Sequence, residues 1–444
     1  MITKKTKTCG SVQRKVNVTE LIEKDDILVV GGGGREHAIV AKLRESARVG
    51  DIYAAPGNAG MGVIETGIGA TDIDGIVEYV AAHPNIKMTV VAPDDPLAMG
   101  LVDKLTASGF RAFGPTQAAA KLEWSKAYAK DVMRRYGVPT AAYATFTDVT
   151  AAKAYVQSCK IPTVIKADGL ALGKGVLICE TREAALAAID EVMTDRKFGS
   201  AGNAVVVEDF LKGYEVSLLT FVDGEHFALM PTSCDHKRAL DGDKGLNTGG
   251  MGAYSPCPVF SQKLIDKTVQ EIVRPTVEAM KSEGAPFKGV LYFGLMVDGD
   301  DVRVLEFNAR FGDPETQSVL PLLNSDLYEI FGAVIDGTLD KLDIKWSGKK
   351  SINVVLASGG YPVSYKKGCA ISGLDEVDGG ARVYFAGVKR GMDGMLLTSG
   401  GRVLCVQAMA DDFATAKAVV YDNIKKITFD DCFYRKDIGA KINA

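Results

Sequence analysis

The sequence predicts a multidomain protein, α/β at its N-terminal end and α+β beyond it, and three observations carry that expectation. The 444 residues exceed what a single hydrophobic core organises and suggest about three domains. From Ile27 to Tyr136, short apolar runs alternate with segments of helical spacing, the pattern of strand–helix units and a parallel sheet. Beyond Thr163 the apolar runs come in pairs joined by glycine turns, and the region from about 345 onward is strand-rich, with turns at Gly359-Gly360 and Gly400-Gly401.

Composition is ordinary for a globular chain, with 47% hydrophobic and 24% charged residues. A net charge of −4 gives no overall attraction for nucleic acid or an anionic membrane, although local basic clusters can still hold a small anion. Glycine is in excess, with 48 residues often clustered, which points to backbone-lined ligand loops. The eight cysteines are scattered without a Cys-x-x-Cys and accompany only four histidines, so neither a disulfide framework nor a zinc site is indicated. No window approaches the ~18 uninterrupted apolar residues of a membrane span. Residues 1–24 are basic as far as Lys15 and lack an apolar core, which excludes a secretory signal; a disordered N-terminal extension is expected.

Ile27-Leu28-Val29-Val30, then Gly31 to Gly34, then the helically spaced Arg35 to Leu43 read as strand, glycine turn and helix. Such a turn aims backbone N–H groups and a helix N-terminus at an anion. A nicotinamide-dinucleotide site is disfavoured. Glu36 and His37 stand where the third glycine of G-x-G-x-x-G would fall, and Asp51 precedes rather than follows the next strand, Ile52 to Ala55. That strand ends at Pro56-Gly57-Asn58-Ala59-Gly60. A helix over 74–82, a strand over 88–92 and the turn at Pro93-Asp94 bring a third loop to the same crevice, although each loop alone is also a plain tight turn.

A helical passage over 115–136 contains Lys126, and the first domain boundary is placed near 125. The strands Thr163 to Lys166 and Val176 to Ile178 flank Ala167-Asp168-Gly169-Leu170-Ala171-Leu172-Gly173-Lys174-Gly175. A glycine hairpin between strands, with a lysine on each side, can fold over a nucleotide and neutralise its phosphates. It lacks the Walker pattern, and a hairpin with surface lysines is the alternative. Backbone groups at Glu208-Asp209-Phe210-Leu211 can meet an adenine edge, and Glu215 can hold ribose hydroxyls. Asp235-His236-Lys237-Arg238 and the glycine-rich Gly245 to Pro256 are too long for an ordinary connection and read as a binding loop. After a helix over 264–283 come strands over 289–297 and 302–307. With side-chain period two, Glu306 and Asn308 point the same way off the last strand and offer hard oxygen ligands for Mg²⁺. A solvated strand edge would explain a lone Glu-x-Asn. Arg310, Asp313 and Glu315 within the next turn, beside apolar Val304, Leu305 and Phe307, point instead to an active-site edge.

In these residues the chain resembles the phosphoribosylamine–glycine ligases, or glycinamide ribonucleotide synthetases, a family of ATP-grasp enzymes of purine synthesis. The resemblance runs from about residue 26 to the C-terminus. It is carried by Gly31 to Ala38, Ala55 to Gly60, Ile165 to Leu170, Asp235 to Arg238, Asn247 to Pro256 and Arg310 to Gln317. It implies a Rossmann-like domain (25–125), a two-lobed ATP-grasp domain (126–340, smaller lobe about 140–215) and a small β-rich C-terminal domain (341–444). It also implies ATP with Mg²⁺ or Mn²⁺, and the joining of glycine to 5-phosphoribosylamine through a glycyl phosphate, releasing ADP and phosphate.

By position, Lys126 and Lys166 would touch ATP phosphates beneath a loop containing Gly169, Gly173, Lys174 and Gly175. Glu208, Asp209, Phe210 and Leu211 would hold adenine, Glu215 the ribose, and Glu306 and Asn308 the metal. Arg310 would stabilise the transferring phosphoryl group, and Asp313, also at the catalytic edge, would help the Asn247 to Gly252 loop seat glycine or phosphoribosylamine. Gly33, Gly34, Arg35, Glu36, His37, Asn58 and Asp94 in the N-terminal crevice would seat substrate, as would Asp235, Lys237, Arg238, Asn247, Thr248, Gly249, Gly250 and Glu315. Two positions depart from related patterns. Pro93-Asp94 replaces the frequent Pro-Glu, and Gly294 stands where many ATP-grasp enzymes carry a metal-binding Glu. The resemblance further implies a cytoplasmic enzyme acting on small molecules, not on nucleic acid or membrane, as a monomer or weak dimer. Another ATP-grasp ligase or carboxylase would share the nucleotide site and differ at the 235–256 loop. Lys166, Glu306, Asn308 and Arg310 together argue against a non-catalytic ATP-binding module.

Overall fold

The computed structural model describes residues 24–171 and 175–443. The first sheet contains β1 (Asp25–Gly31), β2 (Val49–Pro56), β3 (Ile64–Glu65), β4 (Ile86–Val91) and β5 (Ala112–Phe113), all parallel, in the order β3-β2-β1-β4-β5. Ile27 to Val30 of central β1 are fully buried, as an unbroken apolar run in a parallel strand covered on both faces requires. Helices α1 (Gly34–Leu43), α2 (Ile73–Ala82), α3 (Asp94–Ala98) and α4 (Leu101–Ala107) follow the strands. The helical passage expected over 115–136 is two helices, α5 (Gln117–Trp124) and α6 (Lys126–Arg135). Ser125 between them is extended (φ −124°, ψ 103°), and its hydroxyl accepts the Tyr128 N–H to cap α6.

A four-stranded antiparallel sheet follows, β6 (Tyr143–Phe146), β7 (Thr163–Ala167), β8 (Val176–Cys179) and β9 (Val205–Asp209), in the order β6-β9-β7-β8. The chain then forms β10 (Tyr214–Asp223), β11 (Phe227–Leu229), β12 (Cys234–Asp235), the hairpin β13 (Arg238–Leu240) and β14 (Lys244–Asn247), β15 (Gly252–Ser255), β16 (Lys288–Asp298) and β17 (Asp301–Asn308). Strands β11-β10-β16-β17 make the second antiparallel sheet. The helix expected over 264–283 spans Gln262–Ser282 with a π turn at Val269–Val273.

The C-terminal part adds β18 (Lys350–Ala357), β19 (Ala381–Phe385), β20 (Val388–Arg390), β21 (Leu396–Thr398) and β22 (Arg402–Ala410). Its main sheet runs β12-β15-β18-β22-β19, so two strands from the 235–256 region complete it. That region is therefore strand, hairpin and short loop, pinned at both ends by sheet hydrogen bonds, rather than one long loop. Cys234 and Cys257, at the two ends of the segment, are joined by a disulfide, a pairing that scattered spacing did not reveal. The expected classes of architecture are all present: a parallel first sheet, antiparallel central lobes and a β-rich end.

Aromatic packing joins the first sheet to the second central one. Phe113 stacks on Phe331 with centroids 3.8 Å apart, and Phe311 meets Phe221 and Phe331 edge-on at 6.2 and 6.1 Å. Each such pair contributes about 1 kcal/mol beyond its buried area. The first sheet also docks on β19. The Phe385 N–H donates to His37 Nδ1 at 2.9 Å, the His37 ring stacks on Phe385, and the Asn58 amide donates to Gly32 O and Phe385 O at 2.8 and 3.1 Å. Gly60 must lack a side chain here, because a Cβ would lie 2.2 Å from the Phe385 ring.

Burial, reinforced by Arg44, lowers His37 to about 4, and burial with Arg435 does the same for His236. Both rings are neutral in the fold, and the unfolded chain protonates them near 6.5, so stability is lost as pH falls from about 6.5 towards 4. His37→Asn keeps an acceptor for Phe385 without a titrating group. It should remove a share of that acid loss on the order of 3 kcal/mol at pH 4. Denaturant midpoints between pH 7 and 4 test this; identical pH slopes for variant and wild type would refute it.

Candidate active site

One cleft of about 980 Å³ lies where the sheets meet, with walls from the first sheet (Arg35, Asp94), β7 and β9, β17, and the C-terminal part (Tyr361, Arg402). β17 supplies its floor. Glu306 and Asn308 stand opposite Gly294 and Tyr292 on β16 and share one face of the strand. Burial tends to raise the Glu306 carboxyl, but Lys237, Lys166, Lys126 and Arg310 outweigh it and hold the group near 2. A Cβ on Gly294 would come 3.1 Å from Glu306 Cγ, so no second acidic side chain fits across the ladder without displacing the first.

Each cation has a fixed anchor. Lys166 Nζ donates to Leu305 O at 2.9 Å and lies 3.0 Å from Glu208 Oε1. Lys130 lies 3.1 Å from Glu208 Oε2 and donates to Thr140 Oγ1 at 2.7 Å. Burial lowers Lys130 to about 8 despite Glu208. Lys126, first residue of α6, donates to Gly169 O at 2.8 Å, and its ammonium is also pushed down by burial, with Glu306 opposing. Lys237 ion-pairs with Glu215 and stands 3.6 Å from Glu306; burial disfavours its charge, but these two carboxylates raise it well above the usual lysine range.

At the far edge, the Asp209 N–H is taken by Ala142 O and the Glu208 carbonyl by Thr163 Oγ1, while Asp209, Phe210 and Leu211 line the wall. Glu208 also lines the cleft, and its carboxylate is the buried counter-ion of Lys166 and Lys130. Gly169 packs so closely that a Cβ would lie 2.5 Å from that of Ala201, and Gly175 also faces the cleft. Gly173 and Lys174 lie outside the described residues.

Arg310 Nη2 lies 2.8 Å from Glu123 Oε1 and donates to Asn308 Oδ1 at 3.1 Å. Burial works against its charge, but Glu123, Asp94 and Glu315 raise it above the usual range. Burial lifts Glu123 to about 6, with Arg310 opposing.

The opposite wall is acidic. Asp235 and Glu315 are neighbouring carboxylates; burial, then Glu315, raises Asp235 well above the ordinary range, and Asp235 Oδ1 is buried without a hydrogen-bond partner among the described residues. Ser217 Oγ donates to Glu315 Oε1 at 3.1 Å and lies 2.8 Å from Tyr292 OH. Asp313 accepts the Arg35 N–H at 3.3 Å and the Gln317 amide at 2.9 Å, and Arg402 lies 3.3 Å away. Burial would raise Asp313, yet Arg402 and Arg35 hold it below its usual value. Arg402 also donates to Gly249 O at 2.7 Å and Asp313 O at 2.8 Å, while Thr248 folds back on Lys237 O. Arg238 Nη1 donates to Gly245 O at 2.8 Å, holding its hairpin, and both Arg238 and Asn247 line the cleft.

Three family models match the chain in order: phosphoribosylglycinamide synthetase N domain over 25–123, ATP-grasp (A) domain over 124–316 and C domain over 351–441. The chain belongs to this family. It is 50% identical over 418 residues to the phosphoribosylamine–glycine ligase of Neisseria meningitidis serogroup A, covering 94% of this chain and 99% of that one. The ligase of Halalkalibacterium halodurans is 48% identical over 418 residues, 94% and 97% covered. The crystal structure of the Thermotoga maritima ligase superposes with a TM-score of 0.82 at 31% identity, covering 93% of this chain and all (100%) of that one.

Of the residues expected in the N-terminal crevice, Arg35 and Asp94 reach the cleft wall; Gly33, Gly34, Glu36, His37 and Asn58 do not. Glu36 accepts the Gly33 N–H and pairs with Arg35 at 2.6 Å, Gly34 packs on the Gln317 amide, and His37 and Asn58 are spent on β19. For His37 and Asn58 the partner is Phe385, which stacks on the His37 ring and accepts the Asn58 amide. Sequence reasoning missed Glu123, Lys130, Tyr292, Tyr361 and Arg402. Glu123 and Lys130 carried a signal in their proximity to Lys126, whereas Arg402 carried none, because only the sheet brings it to Asp313.

Gly250 has φ +111°, and a Cβ there would lie 2.3 Å from Pro314 Cδ and 2.6 Å from Asp235 Oδ1. Gly250→Ala should cost about 2 kcal/mol or more through strain and clash. A denaturation midpoint equal to wild type would show that the loop yields freely and is not held by this contact.

Proposed function

We propose that this chain ligates glycine to 5-phosphoribosylamine with consumption of ATP, giving glycinamide ribonucleotide, ADP and phosphate. The observation that carries the reading is a single cleft with four cations around Glu306 on one wall and the Asp235–Glu315 carboxylate pair with Arg402 on the other. A polyphosphate fits the first wall and an amino acid the second.

A carboxylate is a poor electrophile, and ATP, when bound, supplies the phosphoryl group that converts glycine to an acyl phosphate. Lys126 and Lys166 hold phosphate oxygens, with positions fixed by Gly169 O and Leu305 O. Asp209 to Leu211 border the adenine and Glu215 the ribose. The donor set of Glu306 and Asn308, one ionised carboxylate and one amide oxygen, suits Mg²⁺ or Mn²⁺, with phosphate oxygens needed to fill the shell. When bound at Glu306 and Asn308, such an ion would supply charge neutralisation to the phosphoryl transfer. Arg310 bears on the phosphoryl group as negative charge shifts towards the leaving oxygen, the stage at which preorganised donors contribute most.

Asp235 and Glu315 receive the glycine ammonium, a cation that relieves the repulsion between them, and Arg402 lies beside its carboxylate with Asp313. Arg35 and Asp94 face the ribosylamine. Its nitrogen then attacks the acyl carbon, loses a proton and displaces phosphate. Action as a monomer or weak dimer is part of the proposal. Among the described residues no helix is long and apolar enough to cross a membrane; a cytoplasmic location completes the proposal.

ADP release should require glycine and phosphoribosylamine together; turnover indifferent to either one refutes the assignment. Glu306→Gln should lower kcat by about 10²-fold or more and weaken Mn²⁺ binding measured by calorimetry with an ATP analogue. Unchanged ion affinity would remove Glu306 from the metal site.

A further inference from the structure

Glu123 lies in the last turn of α5, far in sequence from the strand end that it touches. Its Oε2 accepts the Ala309 N–H at 2.7 Å and its Oε1 lies 2.8 Å from Arg310 Nη2. The side chain is only 8% exposed, so this carboxylate has shed nearly all its water. Nothing in the packing of α5 calls for a charge here. The helix is already capped by Thr116, and Ala119, Ala120 and Leu122 make its buried face. A buried ion pair of this kind commonly stabilises no better than an apolar side chain of the same size.

The other contacts of the guanidinium are less secure. Arg310 Nη1 reaches Phe311 O at 3.3 Å, and Nη2 leans on Asn308 Oδ1 at 3.1 Å, the amide oxygen assigned above to the metal. A cation on that oxygen would repel the guanidinium. Glu123 is the anchor that the metal site does not use.

We propose that Glu123 is a positioning residue for phosphoryl transfer: it aims the Arg310 guanidinium into the cleft and retains it there when Asn308 is engaged by a metal ion. This rests on the role given to Arg310 above. Through Glu123, the segment leading from the first domain into the ATP-grasp domain sets the geometry of the transfer.

The test is a double-mutant cycle of Glu123→Gln and Arg310→Met, reading kcat, the KM for ATP and the binding of an ATP analogue with Mg²⁺ by calorimetry. Glu123→Gln keeps an acceptor for Ala309 but withdraws the charge. It should lower kcat about tenfold or more while KM for ATP and analogue affinity change less than about twofold, as misplacement of a catalytic group does. In the Arg310→Met background the same change should cost nothing further, because the group it positions is gone. Equal losses with and without Arg310, or no loss while Arg310→Met is impaired, overturn the proposal. An unimpaired Arg310→Met enzyme overturns instead the role of Arg310, and the proposal falls with it. Should Glu123→Gln fail to fold, Glu123→Asp, one methylene short of Arg310, takes its place in the cycle with the same outcomes.

Discussion

Gathering Lys126, Lys166, Lys237 and Arg310 into one cleft is unfavourable unless each charge is answered, because ions that have lost water repel one another strongly at low effective dielectric. The structure answers them individually. Glu208 is shared between Lys166 and Lys130, Glu215 faces Lys237, Glu123 faces Arg310, and Lys126 has a carbonyl. Glu306 is the carboxylate on which the fields of all four converge, which is why it stays ionised to about 2 although burial opposes it. A polyphosphate entering this wall meets cations already oriented and desolvated, so little reorganisation is left for the transition state to demand.

The acidic wall depends on a different device. Its residues are held by strands of the C-terminal sheet, in which β12 and β15 pair with each other and β15 with β18, so Asp235 and Gly252 are fixed by register. The hairpin between them is clamped from the C-terminal end: Arg435, its side chain 1% exposed, pairs with Asp437 and with Asp243 while donating to Arg238 O at 3.1 Å. The segment between β12 and β15 is thereby short and tightly supported. Gly250 belongs to the same logic, since its backbone passes against Pro314 where no side chain fits.

Much of this was legible in the sequence, and the parts that were not share a cause. The alternation of Val302 to Asn308 put Glu306 and Asn308 on one face, and glycine turns after apolar runs gave the strands, because these depend on neighbours in the chain. The break at Ser125 was hidden, since a serine within good helical spacing reads equally as an interior or a cap residue. The 235–256 region reads as a loop because its strands are two to four residues long and β15, which holds β12, is itself held by β18, about a hundred residues away. Glu208 pairs with Lys166 and Lys130, and Glu36 accepts the Gly33 N–H, internal partners that motif position alone does not display.

The first sheet shows how such internal consumption reshapes a fold. In an open α/β sheet the crevice at the strand ends is the natural place for a ligand. Here Phe385 occupies that corner, with Gly60 cleared to receive it and His37 and Asn58 spent on its backbone. Of the residues expected there, Arg35 and Asp94 line the cleft, and Arg35 is itself steered by Glu36 at 2.6 Å and by Phe311 O at 3.1 Å. At the end of the glycine turn after β1, a Cβ on Gly34 would lie 2.6 Å from the Gln317 amide, so the turn lies close against the segment after β17. The first domain reaches the cleft through Arg35 from its helix α1 and Asp94 from α3.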